Sequence, residues 1–248
     1  MEKIITILVF SLLSLVPILF WLAFFLWQDR KRPEPLRWLL AVYFSGFLMG
    51  PIIWLLETFF FKNTIFFNST QLLQRSLWLC FVGAIIEEAT KFLMVYLVIK
   101  RNSACDECLD PVIYLVTGAL GFASLENIIA VCSLIANKTN YLEFLSLVSG
   151  RFLGANFLHA LLAVIIGTAW GWGVKRGYSA GKVTKLIFAG ISVAVVVHTI
   201  FNYFLILSQP NLIMAMGGLL FMLAILFLWL FQILEDHPRS LSNHDFYK

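Results

Sequence analysis

Charge is scarce in this chain. Asp, Glu, Lys and Arg make up 13% of its 248 residues, against roughly 25% in an average soluble domain. Hydrophobic residues make up 60% and the mean hydropathy is +0.88. So little charge cannot wet the surface of a soluble core of this size, which excludes a soluble globular domain and a disordered chain. Cysteine is sparse as well, with four residues, so a disulfide-stapled secreted module is excluded. Cys80 and Cys132 lie in apolar runs and read as small core- or lipid-facing residues. Cys105-Asp106-Glu107-Cys108 is a lone CxxC, with no second pair and no nearby His, which is a weak metal or redox signal. Long polar stretches, heptads, low-complexity tracts and strong internal repeats are also missing. The net charge of +4 comes from short basic clusters between apolar runs. That is the pattern of membrane topology, not of nucleic-acid binding.

What is present is apolar sequence in membrane-sized pieces. A span needs about 20 apolar residues at a rise of 1.5 Å each. Seven runs qualify: Ile4–Trp27, Leu36–Glu57, Ser76–Ile99, Val112–Ala136, Leu147–Trp170, Leu186–Leu207 and Leu212–Leu234. The first is too long for a cleavable signal, has no small-residue cleavage site and is followed directly by Arg30-Lys31-Arg32. Loops on one side carry twelve of the basic residues, from Arg30 through Lys100, Lys175 and Lys185 to Lys248; the other side carries Lys3, Lys62, Arg75 and Lys138. The positive-inside rule then puts the N-terminus outside and the C-terminus in the cytosol. The fold expected is an all-α, polytopic membrane helical bundle of about seven transmembrane helices. It forms a single integral membrane domain over 1–248, with a catalytic helix core at 76–204 and a short cytosolic tail at 235–248. Asn68-Ser69-Thr70 and Asn137-Lys138-Thr139 match the glycosylation sequon, a tripeptide common by chance.

The informative residues are the polar ones inside these runs. Glu87, Glu88, Lys91, Glu126 and Arg151 would each cost roughly 2.5–3.5 kcal/mol facing lipid at mid-bilayer, or about 12–17 kcal/mol together. They must face the bundle interior, pair with one another or line a wet cavity. Asn127, His159, His198 and Asn202 join them. Glu87 and Lys91 are four apart and Glu88 and Lys91 three apart, so all three meet along one helix face. A salt-bridged pair would explain one of the two glutamates, not two adjacent ones, which instead suit general acid–base work. Thr117, Gly118, Gly121 and Ser124 give the fourth run small surfaces for close helix packing. Arg151 is either a snorkelling outer residue or part of the site. His198-x-x-x-Asn202 sets an imidazole and an amide one turn apart. Counting from the loops, Glu87, Glu88, His159 and His198 all lie near the midplane, with Glu126 and Arg151 further outward. Glu57 reads as a residue at an outer helix end, where exposure costs little.

The chemistry follows from what these groups can do. No Ser sits in a Gly-x-Ser-x-Gly turn and no His-Glu-x-x-His helix is present. Activated water remains. Glu87 or Glu88 would take its proton, His159 and His198 would position it, and Asn202 with a His would receive the oxyanion. Glu126, Asn127, Lys91 and Arg151 would support them. In this reading no cofactor is expected. Alternatively Glu88, His159 and His198 would hold Zn²⁺ in a three-ligand site with an open position. From another class, a proton- or cation-coupled transporter would also use such a cluster, although no inverted repeat or broken pair of matched spans accompanies it. A catalytically silent scaffold is the third reading.

Glu87-Glu88-x-x-Lys91, Gly121-Phe122-Ala123-x-x-Glu126-Asn127, Arg151 with His159, and His198-x-x-x-Asn202 resemble, in that order, the motifs of the PrsW family of intramembrane proteases. Asp110 ahead of Tyr114 fits as well. The resemblance covers about residues 76–204. The Glu-Glu and His-x-x-x-Asn elements are also similar to those of the wider CAAX-type glutamic proteases. Ala155 stands where that pattern has Phe four residues ahead of His159, which argues against prenyl-protein processing. The resemblance implies a glutamate-activated water, a membrane-anchored protein substrate such as an anti-sigma factor cut at its outer side, and a bacterial cytoplasmic membrane as the location. Partners are then that substrate and the lipid bilayer, with no nucleic acid. Oligomeric state stays open.

Overall fold

The structure is a computed structural model. It describes residues 2–63, 72–100, 102, 104–136 and 141–235. Both sequons, most of the 235–248 tail and part of the segment between the second and third runs lie outside the described residues. Among the described residues every regular element is a helix: α1 (Glu2–Ser14), α2 (Val16–Gln28), α3 (Leu36–Asn63), α4 (Leu72–Ile99), α5 (Asp110–Ala136), α6 (Tyr141–Leu153), α7 (Ala155–Lys175), α8 (Ala180–Leu207) and α9 (Pro210–Glu235). The seven expected runs are all there, two of them broken. Among the described residues, five stretches are long and apolar enough to cross a membrane: Ile4–Gln28, Leu36–Phe61, Asp110–Ala136, Tyr141–Lys175 and Ala180–Leu207. The protein is an integral membrane helical bundle. The helix α4 equals α3 and α8 in length, but Glu87, Glu88 and Lys91 interrupt its apolarity.

The two breaks have physical causes. The first run divides at Leu15, just before Pro17, whose ring has no N–H to donate and crowds the preceding turn. The fifth run was expected as one helix over Leu147–Trp170. Instead it begins at Tyr141 and divides at Gly154, where a Cβ would lie 2.6 Å from the Gly150 carbonyl oxygen. Only a glycine passes there.

Five helices close into a ring in the order α3, α4, α8, α7, α5 and back to α3. The helix α5 is the most deeply buried and packs most extensively on α7 and α3. Small residues permit this, as the sequence indicated: a Cβ at Gly46 would lie 2.0 Å from the Gly118 carbonyl oxygen, and one at Gly171 would lie 1.9 Å from that of Cys108. Thr117 and Ser124 turn their hydroxyls back to carbonyls of their own helix, and Ser124 also meets Tyr43 Oη at 2.6 Å.

A polar cluster closes the ring at the end where α3 and α5 begin. Asn102 Nδ2 donates to Tyr114 Oη at 2.6 Å, and the Tyr114 hydroxyl donates to Glu34. The Glu34 N–H donates to Asp29 Oδ2 at 3.3 Å. Cys105 and Cys108 are buried beside this cluster and form no disulfide with one another. Burial, with the Glu34 charge adding to it, pushes the Asp29 carboxyl up to about 7; burial also raises that of Glu34. Between the ordinary Asp value of 3.8 and about 7, the folded protein holds more protons than the unfolded chain, so stability falls as pH rises through that window. The melting temperature in detergent is therefore expected to be higher at about pH 5 than at about pH 8. Asp29→Asn should flatten that slope, leaving the share due to Glu34. An unchanged slope in the variant would contradict the assignment.

Candidate active site

Each ring helix delivers a titratable side chain toward the space they enclose. The helix α4 supplies Glu87, Glu88 and Lys91, all buried within the bundle; α7 supplies His159 and α8 supplies His198, both buried too. The two imidazole rings stand edge to face with centroids 5.4 Å apart. Glu88 lies at the centre: its Oε1 accepts from Lys91 Nζ at 2.6 Å and lies 2.8 Å from His198 Nδ1. Lys91 Nζ also lies 3.0 Å from His159 Nδ1 and 3.6 Å from Glu87 Oε2. The three-residue and four-residue spacings on α4 thus bring both glutamates to one ammonium.

The two glutamates differ in their surroundings. Glu88 is 2% exposed, and its Oε1 is held by both Lys91 and His198. Glu87 Oε2 is buried and has no hydrogen-bond partner, with His198 Nε2 3.8 Å away. A buried carboxylate oxygen left in this state is costly unless something else uses it. Glu87 also lines a cavity of about 380 Å³ between α3, α4 and α5, together with Glu57, Phe122, Glu126 and Arg151. Of the two adjacent glutamates it is the one that lines the cavity.

A second layer holds His159. Its Nε2 lies 2.8 Å from Glu126 Oε2, and the same oxygen accepts from Arg151 Nη2 at 3.1 Å. Arg151 Nε donates to the Asn127 amide oxygen, and Asn127 Nδ2 donates to the Ser14 carbonyl at 2.8 Å, beside the α1–α2 break. Arg151 is therefore an interior residue, not a snorkelling one. Asn202 follows His198 by one turn on α8 and is half-buried, and its side chain makes no hydrogen bond among the described residues. Glu57, which the sequence placed at an outer helix end, belongs to the cavity instead. It is half-buried, lines the cavity and presses its Oε1 3.2 Å from where a Cβ of Gly83 would lie. The apolar spacing of α3 carries no signal for this, because both its faces are apolar.

Among the described residues, one group of three or more potential metal ligands converges: Glu87, Glu88, His159 and His198, with ligand atoms within 4.8 Å of one another. Two imidazoles and two carboxylates are donors that Zn²⁺ accepts. The unpartnered Glu87 oxygen and the position of the Lys91 ammonium among these donors both mark a place for positive charge. The donor set fits a divalent metal.

The comparisons with known proteins give the family. The family described as PrsW family intramembrane metalloprotease matches residues 34–231. The Protease PrsW of Clostridioides difficile (strain 630) is 26% identical over 233 residues, covering 94% of this chain and 91% of that protein. The Protease PrsW of Geobacillus kaustophilus (strain HTA426) is 28% identical over 221 residues, covering 87% and 88%. No solved structure matches. The matched stretch includes α3, which the expected 76–204 core left out, and with it the wall of the cavity that carries Glu57. With a buried Glu-Glu-His-His cluster inside a membrane bundle and a match over most of its length, the chain belongs to the PrsW family of intramembrane peptidases.

Proposed function

We propose that this protein is an endopeptidase that hydrolyses a peptide bond of a membrane-anchored protein, such as an anti-sigma factor, by activated water at the Glu87–Glu88–His159–His198 cluster. The observation that carries the reading is the division of labour between the adjacent glutamates. Glu87 lines the cavity with an unpartnered oxygen, whereas Glu88 does not line it and has its Oε1 held by Lys91 and His198.

In this mechanism Glu87 accepts the proton of the attacking water and returns it to the leaving amine. Glu88, His159 and His198 hold the water in line with the scissile carbonyl. Where a divalent metal is bound, those three residues would hold it, and it would supply Lewis-acid polarisation. Asn202, with its amide uncommitted, supports oxyanion stabilisation. Glu126 fixes the His159 ring by accepting from Nε2, which leaves Nδ1 directed at the cluster, and Arg151 and Asn127 fix Glu126. Outer-layer carboxylates of this kind are worth about 10–100-fold in metal affinity or activity. Glu126→Gln is expected to weaken Zn²⁺ binding, read by competition with a chromogenic chelator, by about that factor while the protein stays folded. Unchanged affinity would remove Glu126 from this role.

The charge asymmetry of the loops supports an N-terminus outside and a C-terminus in the cytosol, in a bacterial cytoplasmic membrane. The test is reconstitution in liposomes with a library of tagged single-span proteins. Cleavage at one bond in or beside the span supports the reading. Ion uptake without cleavage would favour a transporter instead.

A further inference from the structure

The cavity beside the cluster has an asymmetric wall. One side is apolar: Ile53, Phe122 and Leu125 contribute, and Trp54 and Ile129, 63% and 56% exposed, stand where it opens between α3 and α5. The other side carries Glu57, Glu87 and Glu126 against a single guanidinium, that of Arg151. Arg151 is committed to Glu126 and Asn127, and Lys91 to Glu88 with Glu87 near it. Glu57 is left as the carboxylate in the cavity with no ion pair among the described residues. It lies on α3, one turn from Ile53, and rests against Gly83, one turn ahead of Glu87 on α4. A chain lying in the cavity with its scissile bond at Glu87 therefore passes Glu57 within a few residues.

We propose that Glu57 is a specificity-determining residue that selects substrates carrying a lysine or arginine near the scissile bond, on an otherwise apolar segment entering sideways between Trp54 and Ile129. This rests on the peptidase reading and adds the substrate's chemistry to it. A half-buried carboxylate without a partner gains most from a cationic side chain brought into the same low-dielectric space. The apolar wall takes the neighbouring residues of a membrane segment, and an acidic side chain placed there would be a fourth carboxylate beside Glu57, Glu87 and Glu126 against one guanidinium, whose Nε and Nη2 already serve Asn127 and Glu126. Selection then comes from both attraction and repulsion.

The experiment uses the full-length protein in liposomes and single-span substrates in which Lys, Ala or Glu is placed in turn at each position flanking the cleaved bond. Wild type should prefer Lys over Glu at one flanking position by about tenfold or more in kcat/KM. Glu57→Gln should erase that preference at that position alone, and Glu57→Lys should reverse it toward Glu. Reversal by the charge swap is a result that loss of packing cannot produce. If Glu57→Lys does not fold, as read by thermal melting, Glu57→Gln carries the test. Cleavage with the same Lys preference in wild type and both variants, or with no charge preference in wild type, overturns this inference and leaves the peptidase reading intact. Absence of cleavage by wild type for every substrate overturns both.

Discussion

Glu87→Gln is expected to lower cleavage by about 10²–10⁴-fold while leaving the melting temperature close to that of the wild type. The amide has the shape of the carboxylate but cannot take a proton from water. Glu87 contributes little that the fold depends on, since its Oε2 has no hydrogen-bond partner and Lys91 stands 3.6 Å away. Glu88→Gln should behave differently. That side chain receives Lys91 at 2.6 Å and His198 at 2.8 Å, so neutralising it takes the nearest counter-charge from a buried ammonium. Breaking a buried pair in this way costs about 3–5 kcal/mol. Activity and thermal stability should then fall together. Parallel melting and cleavage assays on the two variants separate the roles, and equal melting temperatures with equal turnover would refute the division between them.

The second large effect concerns how the ring is held shut. Gly46→Ala places a Cβ 2.0 Å from the Gly118 carbonyl oxygen and 2.9 Å from its carbon, both backbone atoms that cannot swing aside. The helices α3 and α5 must part, at a cost of about 3 kcal/mol or more. Gly217→Ala on α9 is the matched control, because nothing lies within 4 Å of its added Cβ. There the change should stabilise by about 1 kcal/mol or less, through helix propensity alone. Opposite shifts in melting temperature are the expected result. Since Glu57 and Ile53 ride on α3, Gly46→Ala should also disturb the cavity and lower cleavage further than its stability loss explains.

Much of this architecture was legible in the sequence because a membrane makes charge expensive. Glu87, Glu88, Lys91, Glu126, His159 and His198 stood out against apolar runs, and helical spacing alone put the first three on one face. That cost argument correctly required them to meet. Other features follow from geometry that spacing does not encode. Glu57 sits among residues apolar on every face, so nothing in the run says that it turns toward α4. The choice between Glu87 and Glu88 depends on which of two neighbours points at the cavity, a rotation of about 100° set by packing against α8 and α3. Pro17 and Gly154 mark the two helix breaks, yet proline and glycine are common enough in membrane helices that neither residue alone fixes a break. Arg151 could be read as a snorkelling side chain until the α6–α7 break set it beside Glu126.

The most direct test of the account is cleavage of a single-span substrate in liposomes by wild type and by the Glu87→Gln/Glu88→Gln double variant, each with and without a strong chelator and with Zn²⁺ added back. The account predicts turnover by wild type and none by the double variant under any condition; loss on chelation with return on Zn²⁺ assigns water activation to a bound metal, and turnover indifferent to chelator assigns it to the side chains alone. Sustained turnover by the folded double variant would contradict it.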